Sequence, residues 1–174
     1  MANRTFFGTD GIRGVAGKAP ITAAFAYQMG VAATEALKDK GDAATKLILG
    51  TDTRRSGPML AQALSAGIMS RGGSVVSLGV IPTPGVSFLT RTLGAQAGVV
   101  ISASHNPFED NGIKFFNHEG EKLSDDLEHE IESYLERNEG RLEPVTAEAI
   151  GTSQRYRRDN DDYTRFLLEH APYL

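Results

Sequence analysis

Three short apolar runs constrain this chain most: Lys46 to Gly50 (KLILG), Ser74 to Val80 (SVVSLGV) and Ala97 to Ile101 (AGVVI). Each has strand length, and a proline or a polar loop soon cuts it off. Helical patterns lie between and around them. Thr22 is placed to cap a helix in which Phe25, Met29, Ala33, Ala36 and Leu37 share one face, with Lys38 and Lys40 near its end and Gly41 after it. Ser56 or Gly57 caps a second helix with Pro58 in its first turn. Leu60, Leu64 and Ile68 recur there at helical spacing until Gly72-Gly73. Pro82 and Pro84 break the chain before a third helix over Val86 to Leu93, and Ile113 to Phe116 reads as a further strand. Ser124 caps a last clear helix, with Leu127, Ile131, Tyr134 and Leu135 on its apolar side and Gly140 closing it. Asp125, Asp126 and Glu128 crowd its first turn, where the helix dipole favours negative charge.

This alternation predicts an α/β layered domain with helices on both faces of a sheet. Ligands of such sheets gather at the carboxyl ends of the strands, so the polar loops after Gly50, Val80 and Ile101 are expected at one rim. Gly151 to Asp162 is polar and reads as a linker, and Tyr163 to His170 begins another helical pattern. With 174 residues, 40% of them apolar and 23% charged, the chain can build a packed core. A net charge of −4 gives nucleic acid or an anionic membrane no reason to bind. The absence of cysteine excludes disulfides, thiolate metal sites and thiol catalysis. The start, MANRTFF, is too short and polar for a signal peptide, and no run nears the roughly 20 apolar residues that span a bilayer. The expectation is a soluble cytoplasmic protein.

Chemistry concentrates in three stretches. In Val99 to Phe116 (VVISASHNPFEDNGIKFF) a buried strand delivers Ser104, His105 and Asn106 to one loop, and Lys114 returns on the next strand. A serine hydroxyl needs a base, a metal or a dipole to act as nucleophile. Asn106 and the loop amides suit an oxyanion or phosphate, and Lys114 suits its charge. Read alone, the stretch is equally a strand-end turn, because Asn106-Pro107 and Asn111-Gly112 are common turn chemistry. Phe7 to Gly14 (FGTDGIRG) places Arg13 among glycines, as a fork for phosphate oxygens or as an exposed residue on a hairpin. Thr51 to Gly57 (TDTRRSG) puts Arg54 and Arg55 before a helix start. They could hold an anion there, or simply pair with Asp52. Glu109 and Asp110 read as a solvated turn, and His118, His129 and His170 lack ligand spacing. No P-loop, G-x-S-x-G elbow or H-E-x-x-H helix occurs.

Together the three stretches resemble the α-D-phosphohexomutase superfamily, closest to its bacterial phosphoglucosamine branch, over residues 1–155. The resemblance implies a mixed, mainly parallel sheet between helices. It further implies that Ser104 is a phosphoserine exchanging its phosphoryl group with a phosphorylated hexosamine through a 1,6-bisphosphate. Lys114 then matches the family's proton- and charge-transferring lysine, His105 the histidine beside the phosphoserine, and Arg13 an active-site arginine. One Mg2+ is implied on the phosphoserine oxygen of Ser104, with its other ligands in an aspartate-rich loop of a second domain that has no counterpart in this sequence. Residues 156–174 are expected to be a linker and the start of a truncated second domain, so the piece alone should not turn over substrate. The resemblance also allows a homodimer of the whole protein. Three alternatives stay open: a phosphomannomutase/phosphoglucomutase, a non-catalytic domain that binds a phosphosugar or a partner, and a serine hydrolase. The last suffers from the adjacency of Ser104 and His105, which is poor triad geometry.

Overall fold

The computed structural model describes residues 6–38, 45–138 and 145–171. Its six strands are β1 (Ile12–Val15), β2 (Lys46–Thr51), β3 (Ser74–Val80), β4 (Ala97–Ile101), β5 (Asp110–Phe116) and β6 (Ser153–Arg155). They form one sheet in the order β1-β5-β4-β2-β3-β6. The pairs β4–β2, β2–β3 and β3–β6 are parallel, while β1–β5 and β5–β4 are antiparallel, so the sheet is mixed and mainly parallel, as expected. The helices are α1 (Ala23–Leu37), α2 (Gly57–Met69), α3 (Thr83–Thr92), α4 (Asp125–Asn138) and α5 (Asp159–His170), with a short 3-10 turn at Ala147–Ala149.

Successive strand residues face opposite ways, and each face builds its own core. Leu47, Leu49, Val99, Ile101 and Phe115 pack with Met29 of α1, Leu64 of α2 and Ile131 of α4. Ile48, Val76, Leu78, Val100 and Phe116 pack with Val86 and Leu89 of α3. A strand apolar on both faces reads as an unbroken apolar run, which is why β2, β3 and β4 stand out in the sequence. The α1–α2 contact is unusually close. A Cβ on Gly30 would lie 2.2 Å from the Leu64 carbonyl oxygen, and one on Gly67 would lie 2.0 Å from that of Tyr27. Thr22 caps α1 as anticipated, its Oγ1 accepting from Phe25 N at 3.1 Å, and Ser124 Oγ accepts from Leu127 N at 3.3 Å.

Four features differ from expectation. The helix α3 begins at Thr83 rather than Val86, because Pro84 sits in its first turn, where no backbone N–H is required. The strand β5 begins at Asp110, since Asp110 to Ile113 pair with β1, so Asn111-Gly112 lies in a strand and not in a turn. The strand β1 itself was not anticipated. Within the polar stretch read as linker, Ser153–Arg155 forms β6 and extends the sheet beside Val75–Ser77. The helix α5 then rests on α3, with Phe166 stacked on Phe88 at 4.3 Å between ring centroids. Lys40, Gly41 and Gly140, the expected helix-ending residues, lie outside the described residues. Among the described residues no helix is long and apolar enough to cross a membrane.

Candidate active site

The loops after β2, β3 and β4 do meet at one rim. They enclose a cleft of about 640 Å³, lined among others by Arg54, Arg55, Thr83, Ser104, Asn106 and Phe108. Ser104 follows β4 by three residues. Buried Ala103 anchors the loop, and Ser104 and His105 are exposed. The backbone at Ser104 has φ +56°, in the left-handed region that non-glycine residues avoid. Ser104 N donates to Ser102 Oγ at 3.0 Å. Among the described residues the one partner of Ser104 Oγ is His105 Nδ1, at 3.5 Å, the limit of a hydrogen bond.

Arg13 on β1 and Lys114 on β5 arrive from the antiparallel pair beside β4 and are drawn together by Asp10. Arg13 Nη2 lies 2.5 Å from Asp10 Oδ2, and Lys114 Nζ donates to Asp10 Oδ1. The hydrogen bond from Lys114 holds the Asp10 carboxyl below the usual carboxylate range. Partial burial opposes that shift, and the charges of Lys114 and Arg13 reinforce it. Arg13 Nη1 also reaches Asn106 Oδ1 at 3.4 Å, which connects the cation pair to the serine loop. The structure thus links Arg13, and through Asp10 Lys114, to the loop that carries Ser104 and His105, without direct contact between Ser104 Oγ and either cation among the described residues. Asp10 was missed by the sequence reading. The signal available was its place in FGTDGIRG, one turn before Arg13.

Asn106 does not offer a free amide. Its Oδ1 faces Arg13, and its Nδ2 donates to Asp110 Oδ2 at 2.9 Å. The two adjacent arginines have opposite fates. Arg54 pairs with Asp52, Nε to Oδ2 at 2.9 Å, and turns the rest of its guanidinium onto carbonyls of the serine loop. Arg55 is exposed at the cleft and has no hydrogen bond or ion pair with the described residues. Asn111, fully buried, donates to Ser56 Oγ at 2.7 Å and joins the same two loops from behind. Among the described residues no three His, Asp or Glu side chains gather as a metal site, so these residues do not by themselves fit a magnesium ion. His118 and His170 lie at the surface or against neighbouring side chains, as expected.

These features define an α/β/α domain that presents a strained serine beside cations. Residues 4–141 match the phosphoglucomutase/phosphomannomutase family, alpha/beta/alpha domain I, and the chain belongs to that family. It is 54% identical over its whole length to the phosphoglucosamine mutase of Deinococcus radiodurans and 52% identical to that of Deinococcus deserti. In each case it spans 39% of the relative's length. A solved phosphoglucomutase/phosphomannomutase family protein from Burkholderia thailandensis superposes with a TM-score of 0.77 at 27% identity, covering 98% of this chain and 36% of that one.

Proposed function

We propose that this chain is the phosphoserine-bearing first domain of a phosphoglucosamine mutase that interconverts glucosamine 6-phosphate and glucosamine 1-phosphate in the cytoplasm. The observation that carries the reading is Ser104, exposed at φ +56° at the mouth of the cleft, on a loop whose Asn106 meets Arg13, itself joined through Asp10 to Lys114. The identity to relatives named phosphoglucosamine mutase favours the hexosamine over the other sugars of the family. Residues 1–155 would constitute the domain and residues 156–174 the passage to the next.

In this reading Ser104 Oγ carries the phosphoryl group. The Oγ–P bond breaks as the C1 hydroxyl oxygen of glucosamine 6-phosphate bonds to phosphorus, giving the 1,6-bisphosphate and a free serine. The intermediate turns over, and Ser104 Oγ takes the phosphoryl group from the 6-position, leaving glucosamine 1-phosphate. Lys114 moves the proton between hydroxyl and serine and offsets the charge that develops on phosphorus. Arg13 holds phosphate oxygens, and His105 flanks Ser104 Oγ. Positioning and charge compensation carry most of such a transfer. Among the described residues, the phosphate oxygen on Ser104 would be a magnesium ligand, and no cluster of acidic or histidine side chains joins it. The remaining ligands would come from the rest of the protein, which in this reading is a homodimer.

The test uses the full-length protein. Mass spectrometry should find phosphate on Ser104, and Ser104→Ala should carry none and turn over neither hexosamine phosphate. A Ser104→Ala protein of undiminished activity overturns the reading. Faster turnover of mannose or glucose phosphates than of glucosamine 6-phosphate would move it to the phosphomannomutase/phosphoglucomutase branch. Phosphosugar binding without turnover in the full-length protein would favour a purely binding domain.

A further inference from the structure

All five N–H donors of the Arg54 side chain are committed, four of them to the loop that carries Ser104. Nη2 donates to the carbonyls of Ser104 at 3.0 Å and Asn106 at 2.8 Å. Nη1 donates to those of Pro107 at 2.5 Å and Asp110 at 3.0 Å. Nε goes to Asp52, whose other carboxylate oxygen accepts from Arg54 N at 3.0 Å. The side chain is only 10% exposed. The loop is therefore wrapped around a largely buried guanidinium that Asp52 compensates and that four backbone oxygens share. Arg54 has no donor left for a ligand, whereas Arg55 next to it has all of its donors free of the described residues.

From this geometry we infer that Arg54 is a positioning residue for phosphoryl transfer at Ser104: it holds the loop in the conformation that turns the serine outward. The inference rests on the function proposed above. Two physical arguments support it. A left-handed serine persists only where its surroundings over-determine it, and the Arg54 bonds fall on the carbonyl of that same residue and of the second and third residues after it. Carbonyl oxygens are also the negative ends of their dipoles. Turned onto the guanidinium, those of Ser104 and Asn106 are neutralised and do not repel a phosphoryl group arriving at Oγ. A lysine cannot substitute, because an ammonium has three tetrahedral donors and no planar fork.

The experiment compares wild type, Arg54→Lys, Arg54→Ala and Ser104→Ala in the full-length protein. Arg54→Lys should lower kcat about a hundredfold, the cost of a small misplacement of reacting groups, with little change in KM. Amide hydrogen exchange at residues 104–110 should quicken while the global melt stays cooperative. Guanidinium below its denaturing range should restore part of the Arg54→Ala turnover and none of the Ser104→Ala turnover. Wild-type kcat in Arg54→Lys overturns the inference, as does an unchanged exchange rate in the loop. Loss of a cooperative melt in both Arg54 variants would also overturn it, in favour of a general structural role. Full activity in Ser104→Ala would instead remove the functional reading itself. An inactive Ser104→Ala beside a fully active Arg54→Lys would leave that reading intact and defeat only the role of Arg54.

Discussion

The α1–α2 layer and the serine rim share one sheet but are held by different forces. Between the helices, Gly30 and Gly67 let backbone meet backbone, and Met29, Leu60, Leu64 and Ile68 fill the remaining space with no exposure. At the rim the connecting contacts are polar, although Phe108, Ile81 and Pro82 line the cleft. Arg54 gathers four carbonyls, Asn111 reaches Ser56, and Asp10 joins Arg13 to Lys114. The layer should therefore be the more sensitive to volume and the rim to salt, although the Glu35–Arg71 ion pair at 2.6 Å gives the layer a pH-sensitive contact of its own. The stability of this domain and its chemistry can be perturbed separately.

The largest expected effect lies in the layer. In Gly67→Ala the new Cβ would meet the Tyr27 carbonyl oxygen at 2.0 Å, with Tyr27 C and Val31 N at 3.0 Å. Those atoms belong to backbone, which cannot rotate away as a side-chain tip can. The helices must separate, at a cost of about 3 kcal/mol, the upper part of the usual overpacking range. For a domain of this size that is a fall of roughly 10 °C in Tm. A thermal melt followed by circular dichroism checks it, and an unchanged Tm would mean that α1 and α2 are not so close. Hydrogen exchange in the serine loop should respond less, since Gly67 lies near the end of α2 opposite to Ser56 at the rim.

At the rim the expected sign reverses. Ser104→Gly relieves the left-handed backbone at φ +56°, a conformation that costs a non-glycine residue about 1–2 kcal/mol. The extra freedom of glycine in the unfolded chain takes back about 0.5–1 kcal/mol. A gain of up to about 1.5 kcal/mol remains, seen as a higher urea midpoint at constant m-value. The same substitution should abolish phosphorylation in the full-length protein. A lower midpoint would show that Ser104 is not strained, and would remove one of the two supports for the role given to Arg54.

How far these features could be read from the residues depends on whether a local pattern carried them. The strands β2, β3 and β4 are legible to within one residue because both faces are buried, which leaves continuous apolar runs. The strand β1 is not, since Ile-Arg-Gly-Val buries only Ile12 fully. Nor is β6, whose Ser-Gln-Arg is exposed throughout and becomes a strand only because β3 offers it a free edge. At the site, Ser104, Lys114 and Arg13 stand out through their motifs. The division of labour between Arg54 and Arg55 does not, because adjacent residues of one type give no sign of which turns inward. Asp10 escaped for a related reason. Its partners come from β1 and from β5, and the latter is remote in sequence.

The smallest effect concerns Asp10, and it sharpens the contrast with the layer. The hydrogen bond from Lys114 is the main cause that holds the Asp10 carboxyl below the ordinary range. A depressed carboxyl pKa contributes stability that is fully present above its unfolded value, near 3.9, and is lost as pH falls through the lower folded value. The cluster should therefore give its full, pH-independent stabilisation at neutrality and lose it below about pH 4, where it adds to the acid slope of the stability curve. In Lys114→Met the Asp10 midpoint should rise toward the ordinary value, leaving Arg13 as the remaining cation, and carboxyl NMR across the acid range would record it. Because Asp10 is half exposed, the stability change should be slight and should shrink further with added salt. The cost of Gly67→Ala, being steric, should remain at neutral pH, where the Asp10 contribution no longer varies. If Lys114→Met leaves the Asp10 titration where it was, then Arg13 alone holds that carboxylate, and Lys114 is free to approach a phosphoryl group on Ser104 without first giving up a partner.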